Sequence, residues 1–326
     1  MLAVLKHVNI YLQNWSIYFY DNIPYMIKNV LLCGLGATGC IFADKIKKSD
    51  DINLKILVDK SRFERYSKTP MELNGEVIEF DYILPENDDF KADLILITTK
   101  SDGLLSAVEN IKNFVSDNTI IMSLLNGISS EKIIAEKYGA NKVITSYWIG
   151  HSAMRDGNKV VHDGVAKIVF GSKDKSDKRL EDIKDLFEKS HINYEIPEDI
   201  EYSIWLKYLM NVSTNQPSAV YNMTFGEMRK SKEVRELIKN LMEEVQKIAK
   251  AEGVKNTDRM YEDAKKSLRT MMSEGKTSML QDVLAKRKTE VDIFAGTIIK
   301  LGQKHNIPTP YNQMMKEKID TIHLNY

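Results

Sequence analysis

The sequence predicts an α/β region built on a mostly parallel sheet, followed by a region that is wholly helical. Three observations carry this. Short apolar runs at 27–33, 54–59, 92–99, 119–125 and 143–148 have the length of strands buried on both faces, and helix-patterned stretches alternate with them. From about Asp199 onward the strand pattern stops, and 233–251 and the stretch after Thr289 carry apolar residues at three- and four-residue spacing. A Pro-bearing segment, 194–197, separates the two patterns and reads as the hinge.

The first run leads directly into Gly34, Leu35, Gly36, Ala37, Thr38 and Gly39, and a helically spaced segment opens at Cys40. A G-x-G-x-x-G spacing says little alone. Here it joins a strand to a helix, and an acid, Asp59, closes the second strand about 20 residues on. Gly34 permits the tight turn, Gly36 lets the backbone approach a pyrophosphate, and Gly39 lets helix and strand pack closely. The free N–H groups of the helix then face the phosphates. This is the setting of a Rossmann-type dinucleotide-binding domain, placed at 26–196. Ligands of such sheets lie beyond the carboxyl ends of the strands. Lys100 and Asn126 both fall there, although Asn126-Gly127 is also a common turn pair. A region of β character (159–162 and 167–171) and a charged helix at 174–190 complete the domain.

The helical region, 197–326, opens on the most informative stretch. Lys207, Asn211 and Asn215 stand at i, i+4 and i+8, so a helix places them in one polar stripe. Trp205, Leu206, Leu209, Met210 and Val212 surround the stripe with apolar bulk. The stripe suits a solvated face or the wall of a cleft, where a polar substrate satisfies groups that are costly to bury unpaired.

Composition narrows the function classes. The chain has 326 residues, enough for two domains, with 43% hydrophobic and 28% charged residues, as in an ordinary globular protein. Lys+Arg and Asp+Glu are both 46, and a net charge of zero argues against a nucleic-acid binder. No run is long and apolar enough for a membrane span. The two cysteines, Cys33 and Cys40, lack zinc-site spacing and read as buried thiols in a reducing compartment, the cytoplasm. Residues 1–25 are rich in aromatic and β-branched residues, interspersed with polar ones, and make a poor signal peptide. They read as an N-terminal appendage, with Met26 as an alternative start.

At these residues the chain resembles the ketopantoate reductases (2-dehydropantoate 2-reductases). The resemblance runs from about Ile27 to the C-terminus. It is carried by the glycine fingerprint, Thr98-Thr99-Lys100, Asn126-Gly127, the Lys207, Asn211 and Asn215 helix, the block from Thr277-Ser278 to Asp282, and Lys288-Thr289-Glu290-Val291-Asp292. The last three in this order are specific, whereas the fingerprint alone is not. The resemblance implies NADPH-dependent reduction of ketopantoate to D-pantoate in pantothenate and coenzyme A synthesis. NAD(H) is the alternative cofactor, and the enzyme would be a monomer or homodimer acting on a small 2-keto acid. By motif position it implies Lys207 as general acid and Glu290 as the carboxylate that orients substrate beside it. Asn211, Asn215 and Ser278 would hold the substrate's hydroxyl and carboxylate. Asn126 would lie near the nicotinamide ribose and reacting centre, and Asp282 would be a support outside the catalytic set. Two other readings stand beside this one: a reductase of another branched or aromatic 2-keto acid, and a dinucleotide sensor without turnover, which would need neither Lys207 nor Glu290.

The chain departs from the family pattern in two places. Asn215-Gln216-Pro217 carries one residue more than the usual Asn-Pro, which puts the register of 221–226, including Asn222, in question. Asp59 would favour a ribose 2′-OH and repel a 2′-phosphate, while Lys60, Arg62, Arg65 and Lys100 offer positive charge to receive that phosphate. Finally, Ser278 and Glu290 on one straight helix would stand about 18 Å apart, too far for one small substrate. The polar stretch at 286–288 and the capping-box pattern of Thr289 to Asp292 predict a helix ending near Lys286 and a new one starting at Thr289.

Overall fold

In the computed structural model, residues 26–150, 153–164 and 166–326 are described. The expected appendage at 1–25 lies outside the described residues. Strand β1 (Asn29–Cys33) enters the glycine loop and helix α1 (Ala37–Lys47) leaves it; β2 (Asn53–Leu57) leads to α2 (Lys60–Lys68). Three short strands follow, β3 (Met71–Leu73), β4 (Glu76–Ile78) and β5 (Tyr82–Ile83). Next come β6 (Leu94–Ile97), α3 (Leu104–Asn110), β7 (Ile120–Ser123), α4 (Ser130–Tyr138) and β8 (Val143–Gly150). The sheet-bearing part ends with β9 (Ala153–Asp156), β10 (Lys159–His162), β11 (Ala166–Gly171), α5 (Arg179–Lys189) and β12 (Asn193–Glu195).

The main sheet has the order β12-β11-β8-β7-β6-β1-β2-β5. It is parallel from β5 to β8, and β11 joins β8 antiparallel. The strand order reverses between β1 and β6, so the crevice beyond their carboxyl ends is the natural ligand position. Both faces are covered, as the unbroken apolar runs require. Val30 and Leu32 enter one core with Cys40, Phe42 and Ile46 of α1 and Ile183 and Phe187 of α5. Leu31 and Cys33 enter the other with Leu104 and Val108 of α3 and Ile134 of α4. Each such fully buried side chain contributes roughly 1.5–3 kcal/mol by leaving water.

A second, four-stranded sheet, β4-β3-β10-β9, was not anticipated. The β character at 159–171 divides between the two sheets: β10 pairs with β9 and β3, whereas β11 joins the main sheet.

The helical part comprises α6 (Ile200–Tyr221), α7 (Phe225–Lys230), α8 (Lys232–Ala251), α9 (Met260–Thr270), α10 (Ser278–Leu284), α11 (Thr297–His305) and α12 (Pro310–His323). Asp199 caps α6 by accepting from the Tyr202 N–H at 2.9 Å. Helix α6 is the spine: α8, α9, α10 and α12 all pack on it, and Ile204, Tyr208, Leu209 and Val212 form its buried face. Pro217 lies inside α6, which continues to Tyr221. Asn222, left-handed at φ 52°, is the C-cap. The segment after Pro217 is therefore helix and cap, and the role of Asn222 is backbone geometry.

The predicted break after α10 is present, two residues earlier than expected. The helix ends at Leu284, Lys286 turns left-handed at φ 51°, and the Arg287 N–H bonds the Asp282 carbonyl at 2.8 Å. The capping box at Thr289 is absent. The Thr289 hydroxyl is buried with no hydrogen-bond partner in the structure, and its N–H donates to His323 Nε2 at 3.2 Å. Helical geometry resumes as a π-turn, Asp292–Gly296, that runs into α11. Tyr208 holds this turn: its hydroxyl lies 2.9 Å from both the Ile293 and Phe294 carbonyls. Among the described residues no helix is long and apolar enough to cross a membrane.

Tyr208→Phe removes the hydroxyl from these two carbonyls, of which that of Phe294 also accepts from the Thr297 N–H. It is expected to lower unfolding stability by about 0.5–1.5 kcal/mol, read as a lower denaturant midpoint with an unchanged slope. An unchanged midpoint would show that the hydroxyl does not hold the turn.

Candidate active site

The cofactor side is built by the β1–α1 turn. Gly34 takes φ 109°, a conformation that a side chain disfavours. A Cβ at Gly39 would meet the Gly34 carbonyl oxygen at 2.1 Å, whereas a Cβ at Gly36 would meet nothing within 4 Å. The turn is thus close-packed behind and open in front. The first turn of α1 carries no acid, and its N-cap, Gly36, provides no side-chain hydrogen bond. The N–H groups of Ala37, Thr38 and Gly39, which a helix start leaves without internal partners, face that open side. These features fit a dinucleotide pyrophosphate. Thr98 braces the turn from β6, donating to the Gly34 carbonyl at 2.6 Å. The Leu35 carbonyl accepts from Arg155 of β9.

Asp59 is the N-cap of α2 and accepts from the Arg62 N–H at 2.7 Å and from Arg62 Nη1 at 2.9 Å. Both side chains are about half exposed, so the pair contributes little stability, but it places a guanidinium beside the acid. Lys100, expected at the cofactor, stands just beyond β6 with an acid of the helical part beside it. Its ammonium lies 3.4 Å from Asp282 of α10, which Arg287 also holds at 2.8 Å. It therefore bridges the sheet-bearing and helical parts.

On the substrate side, α6 carries Lys207, Asn211 and Asn215 on one face, as the spacing predicts. Lys207 Nζ donates to Asn126 Oδ1 at 3.3 Å, and Asn126 Nδ2 donates to Glu290 Oε2 at 3.0 Å. The amide orientation follows from chemistry, since an ammonium only donates and a carboxylate only accepts. Lys207 also lies over the Tyr147 ring of β8, 4.9 Å from its centroid. The lysine is half-buried as a residue, but its ammonium end is packed away from water. That burial lowers its pKa to about 8, while Glu290 and then Glu131 pull it back up. Burial also pushes the Tyr147 phenol up to about 12, and the phenol is hydrogen-bonded to Ser203 at 2.7 Å.

A second group lies further along the stripe. Asn215 is buried and donates to the Asn211 carbonyl at 3.0 Å; its Oδ1 accepts from Ser278 Oγ at 3.3 Å and from the Met279 N–H at 3.4 Å. Asn215 lies eight positions along α6 from Lys207, about 12 Å of rise. The structure thus gathers Lys207, Asn126 and Glu290 into one hydrogen-bonded group, and Asn211, Asn215 and Ser278 into another. It keeps Asp59 with Arg62 on α2.

Three contributors were missed in the sequence. Tyr147, Glu131 and Arg155 reach these groups from β8, α4 and β9. An acid one turn after Asn126-Gly127 was a signal for Glu131. Nothing local pointed to Arg155, which crosses 120 residues to reach Leu35.

Comparison with known proteins decides the family. The family model described as ketopantoate reductase PanE/ApbA matches residues 30–175, and its C-terminal counterpart matches 199–323.

The chain belongs to the ketopantoate reductase family.

It is accordingly an NAD(P)-dependent oxidoreductase acting on a CH–OH group. Curated relatives named 2-dehydropantoate 2-reductase include one from Streptococcus pyogenes serotype M3, 25% identical over 297 residues covering 89% of this chain and 96% of the relative. Another, from Aquifex aeolicus, is 26% identical over 304 residues, covering 90% and 96%. Among solved structures, a D-mandelate dehydrogenase with NADH and anilino(oxo)acetate superposes with a TM-score of 0.81 at 20% identity, covering 91% of this chain and 98% of that one. A PanE/ApbA family ketopantoate reductase from Ralstonia eutropha JMP134 gives 0.78 at 21%, covering 91% and 99%. The dimeric ketopantoate reductase from Staphylococcus aureus gives 0.75 at 21%, covering 91% and 99%.

The two glycines separate ligand binding from folding. Gly36→Ala is expected to leave the melting temperature unchanged and to weaken dinucleotide binding roughly tenfold or more. Gly39→Ala should instead destabilise the fold by about 1–3 kcal/mol through overpacking. Calorimetry and cofactor titration of both variants test this, and tight binding by Gly36→Ala would remove the glycine turn from the cofactor site.

Proposed function

We propose that the protein is a 2-keto acid reductase that converts ketopantoate to D-pantoate with NADPH, a step in pantothenate and coenzyme A synthesis in the cytoplasm. The observation that carries this is the Lys207–Asn126–Glu290 group, a desolvated ammonium aimed by an amide at the mouth of the dinucleotide crevice. When bound, the dinucleotide supplies the hydride. Lys207 polarises the ketone and gives its proton to the oxygen that becomes the alcohol. Asn126 holds the ammonium in place, and Glu290 orients Asn126 and the substrate. Asn211, Asn215 and Ser278 hold the substrate's polar groups. A homodimer is the assembly this reading favours, as in the Staphylococcus aureus relative, and the two free, buried thiols suit a reducing compartment.

NADPH is preferred over NADH because the Asp59 carboxylate is already paired with Arg62, while Arg65 and Arg155 flank Tyr66 beside the same helix. This concentration of guanidinium charge receives a 2′-phosphate; Asp59 retains affinity for a free ribose, so NADH is used less well. Arg62→Ala should raise KM for NADPH roughly 10–100-fold, the worth of a charged hydrogen bond, and spare NADH. Equal losses with both cofactors would show that Arg62 does not read the phosphate.

The second reading is reduction of another branched or aromatic 2-keto acid, for which the D-mandelate dehydrogenase of like fold is the support. A panel of 2-keto acids assayed with NADPH and NADH in parallel decides by the highest specificity constant. Absence of turnover with every member would favour a dinucleotide sensor.

The pH dependence follows from Lys207. A general acid must be protonated, and burial sets its pKa at about 8. kcat/KM for reduction should be level below that pH and fall tenfold per pH unit above it. Oxidation of the alcohol, for which the neutral amine is the base, should rise through the same point. Lys207→Ala should lower kcat roughly 10²–10⁴-fold with the fold intact. Near-normal turnover in the folded variant would remove Lys207 from this role.

A further inference from the structure

The glycine turn has little means of holding its own shape. Leu35 stands between Gly34 and Gly36, and the Gly34 backbone is left-handed at φ 109°. With glycine on both sides, the Leu35–Gly36 peptide plane is free to rotate, because no Cβ restricts it. That plane is nevertheless gripped at both ends. The Gly36 N–H donates to the Gly34 carbonyl at 2.9 Å, and the Leu35 carbonyl accepts from Arg155 Nη1. Thr98 holds the Gly34 carbonyl from β6, within the main sheet. Arg155 holds the Leu35 carbonyl from the second, four-stranded sheet.

Arg155 is itself well anchored. It lies on β9 opposite the buried Val160 of β10, and α1 packs against both strands. The strand alternates, with Met154 and Asp156 exposed and Ala153 and Arg155 half-buried on the inner side. Arg155 Nε donates to the Gly157 carbonyl at 2.8 Å, and Nη2 donates to the Tyr66 hydroxyl of α2 at 3.0 Å. Its guanidinium carbon stands 5.6 Å from the centroid of the Tyr66 ring, which is buried. Each of the three guanidinium nitrogens thus donates to a protein acceptor. One planar fork joins the small sheet, the glycine turn and α2.

We infer that Arg155 is a positioning residue for the dinucleotide, a brace by which the small sheet holds the glycine turn in its binding conformation. This rests on the dinucleotide reading of that turn. A peptide plane that swung its carbonyl to the open side would set an oxygen against the phosphates, where N–H groups are needed. Holding the Leu35 carbonyl back on the guanidinium removes that conformer before the ligand arrives. A turn ordered in advance spares part of the ordering cost of binding. The brace acts on the part of the site that both cofactors share, so its effect is the same for NADH and NADPH, unlike that of Arg62.

Arg155→Lys keeps the charge but loses the fork, since one ammonium cannot reach three separated acceptors. Amide hydrogen exchange in the cofactor-free protein reads the brace directly. The peptide covering 34–39 should exchange severalfold faster in this variant, while peptides of β6 and β7 keep their wild-type rates. Titration followed by nucleotide fluorescence should show Kd rising roughly tenfold, the scale of one charged hydrogen bond, with NADH and NADPH alike. In turnover, KM for both cofactors should rise while kcat at saturation is unchanged. Wild-type Kd values in the folded variant overturn the inference. So does a loss confined to NADPH, which would make Arg155 a reader of the phosphate, and so does faster exchange throughout the sheet, which would make it only a structural support. If Arg155→Lys does not fold, wild-type NADH affinity in Arg155→Met overturns it. Failure of the dinucleotide reading is distinct: the wild type then binds neither nucleotide, while the exchange rates still show whether Arg155 holds the turn.

Discussion

A buried ammonium is the constraint around which the junction of the two parts is organised. Lys207 has given up most of its hydration, and a charge in that state persists only with fixed partners. Those partners come from three separate places in the chain: the loop after β7 supplies Asn126, the turn before α11 supplies Glu290, and β8 supplies the face of Tyr147. None is near Lys207 in sequence. Docking of the helical part on the carboxyl edge of the sheet therefore assembles the surroundings of Lys207, and the Lys100–Asp282 pair lies at the same junction.

Much of the local irregularity follows from the need to deliver Glu290. A continuous helix from Ser278 would carry that carboxylate far from Ser278 itself. The chain instead stops α10 at Leu284, reverses through a left-handed Lys286, and restarts as a π-turn held by the Tyr208 hydroxyl. Tyr208 is the residue after Lys207, so one turn of α6 supplies both the buried ammonium and the clamp on the segment that bears Glu290. The π-turn widens the helix immediately after Glu290, a local distortion often found at functional sites.

The cofactor side relies on backbone rather than on charged side chains. The glycine turn is packed to contact behind and left open in front, and the first turn of α1 lacks any acid that would compete with a phosphate. Charge enters only at the second strand, where Asp59 would on its own disfavour a 2′-phosphate. Its pairing with Arg62 changes the local balance, and helix geometry explains the pairing: an N-cap residue and the residue three positions later share one face of the first turn.

Features encoded over a few adjacent residues were legible in the sequence. Parallel-sheet strands show as unbroken apolar runs, the glycine fingerprint as a spacing, and the Lys207, Asn211 and Asn215 stripe as a four-residue repeat, because each reflects a period of the backbone. Even the break between Ser278 and Glu290 could be inferred from helix rise, although the Thr289 cap could not: its hydroxyl is enclosed by the helices around it. Strands of two or three residues such as β3, β4 and β5 carry too little pattern to be seen, so the second sheet came only with the fold. The tertiary structure alone brought Arg155 to the Leu35 carbonyl, paired Lys100 with Asp282 and set the Tyr147 ring beside Lys207. The lowered pKa of Lys207 belongs to the same class. Desolvation depends on whatever the folded chain packs around a group, and those neighbours lie tens to hundreds of residues away, beyond the reach of any local period.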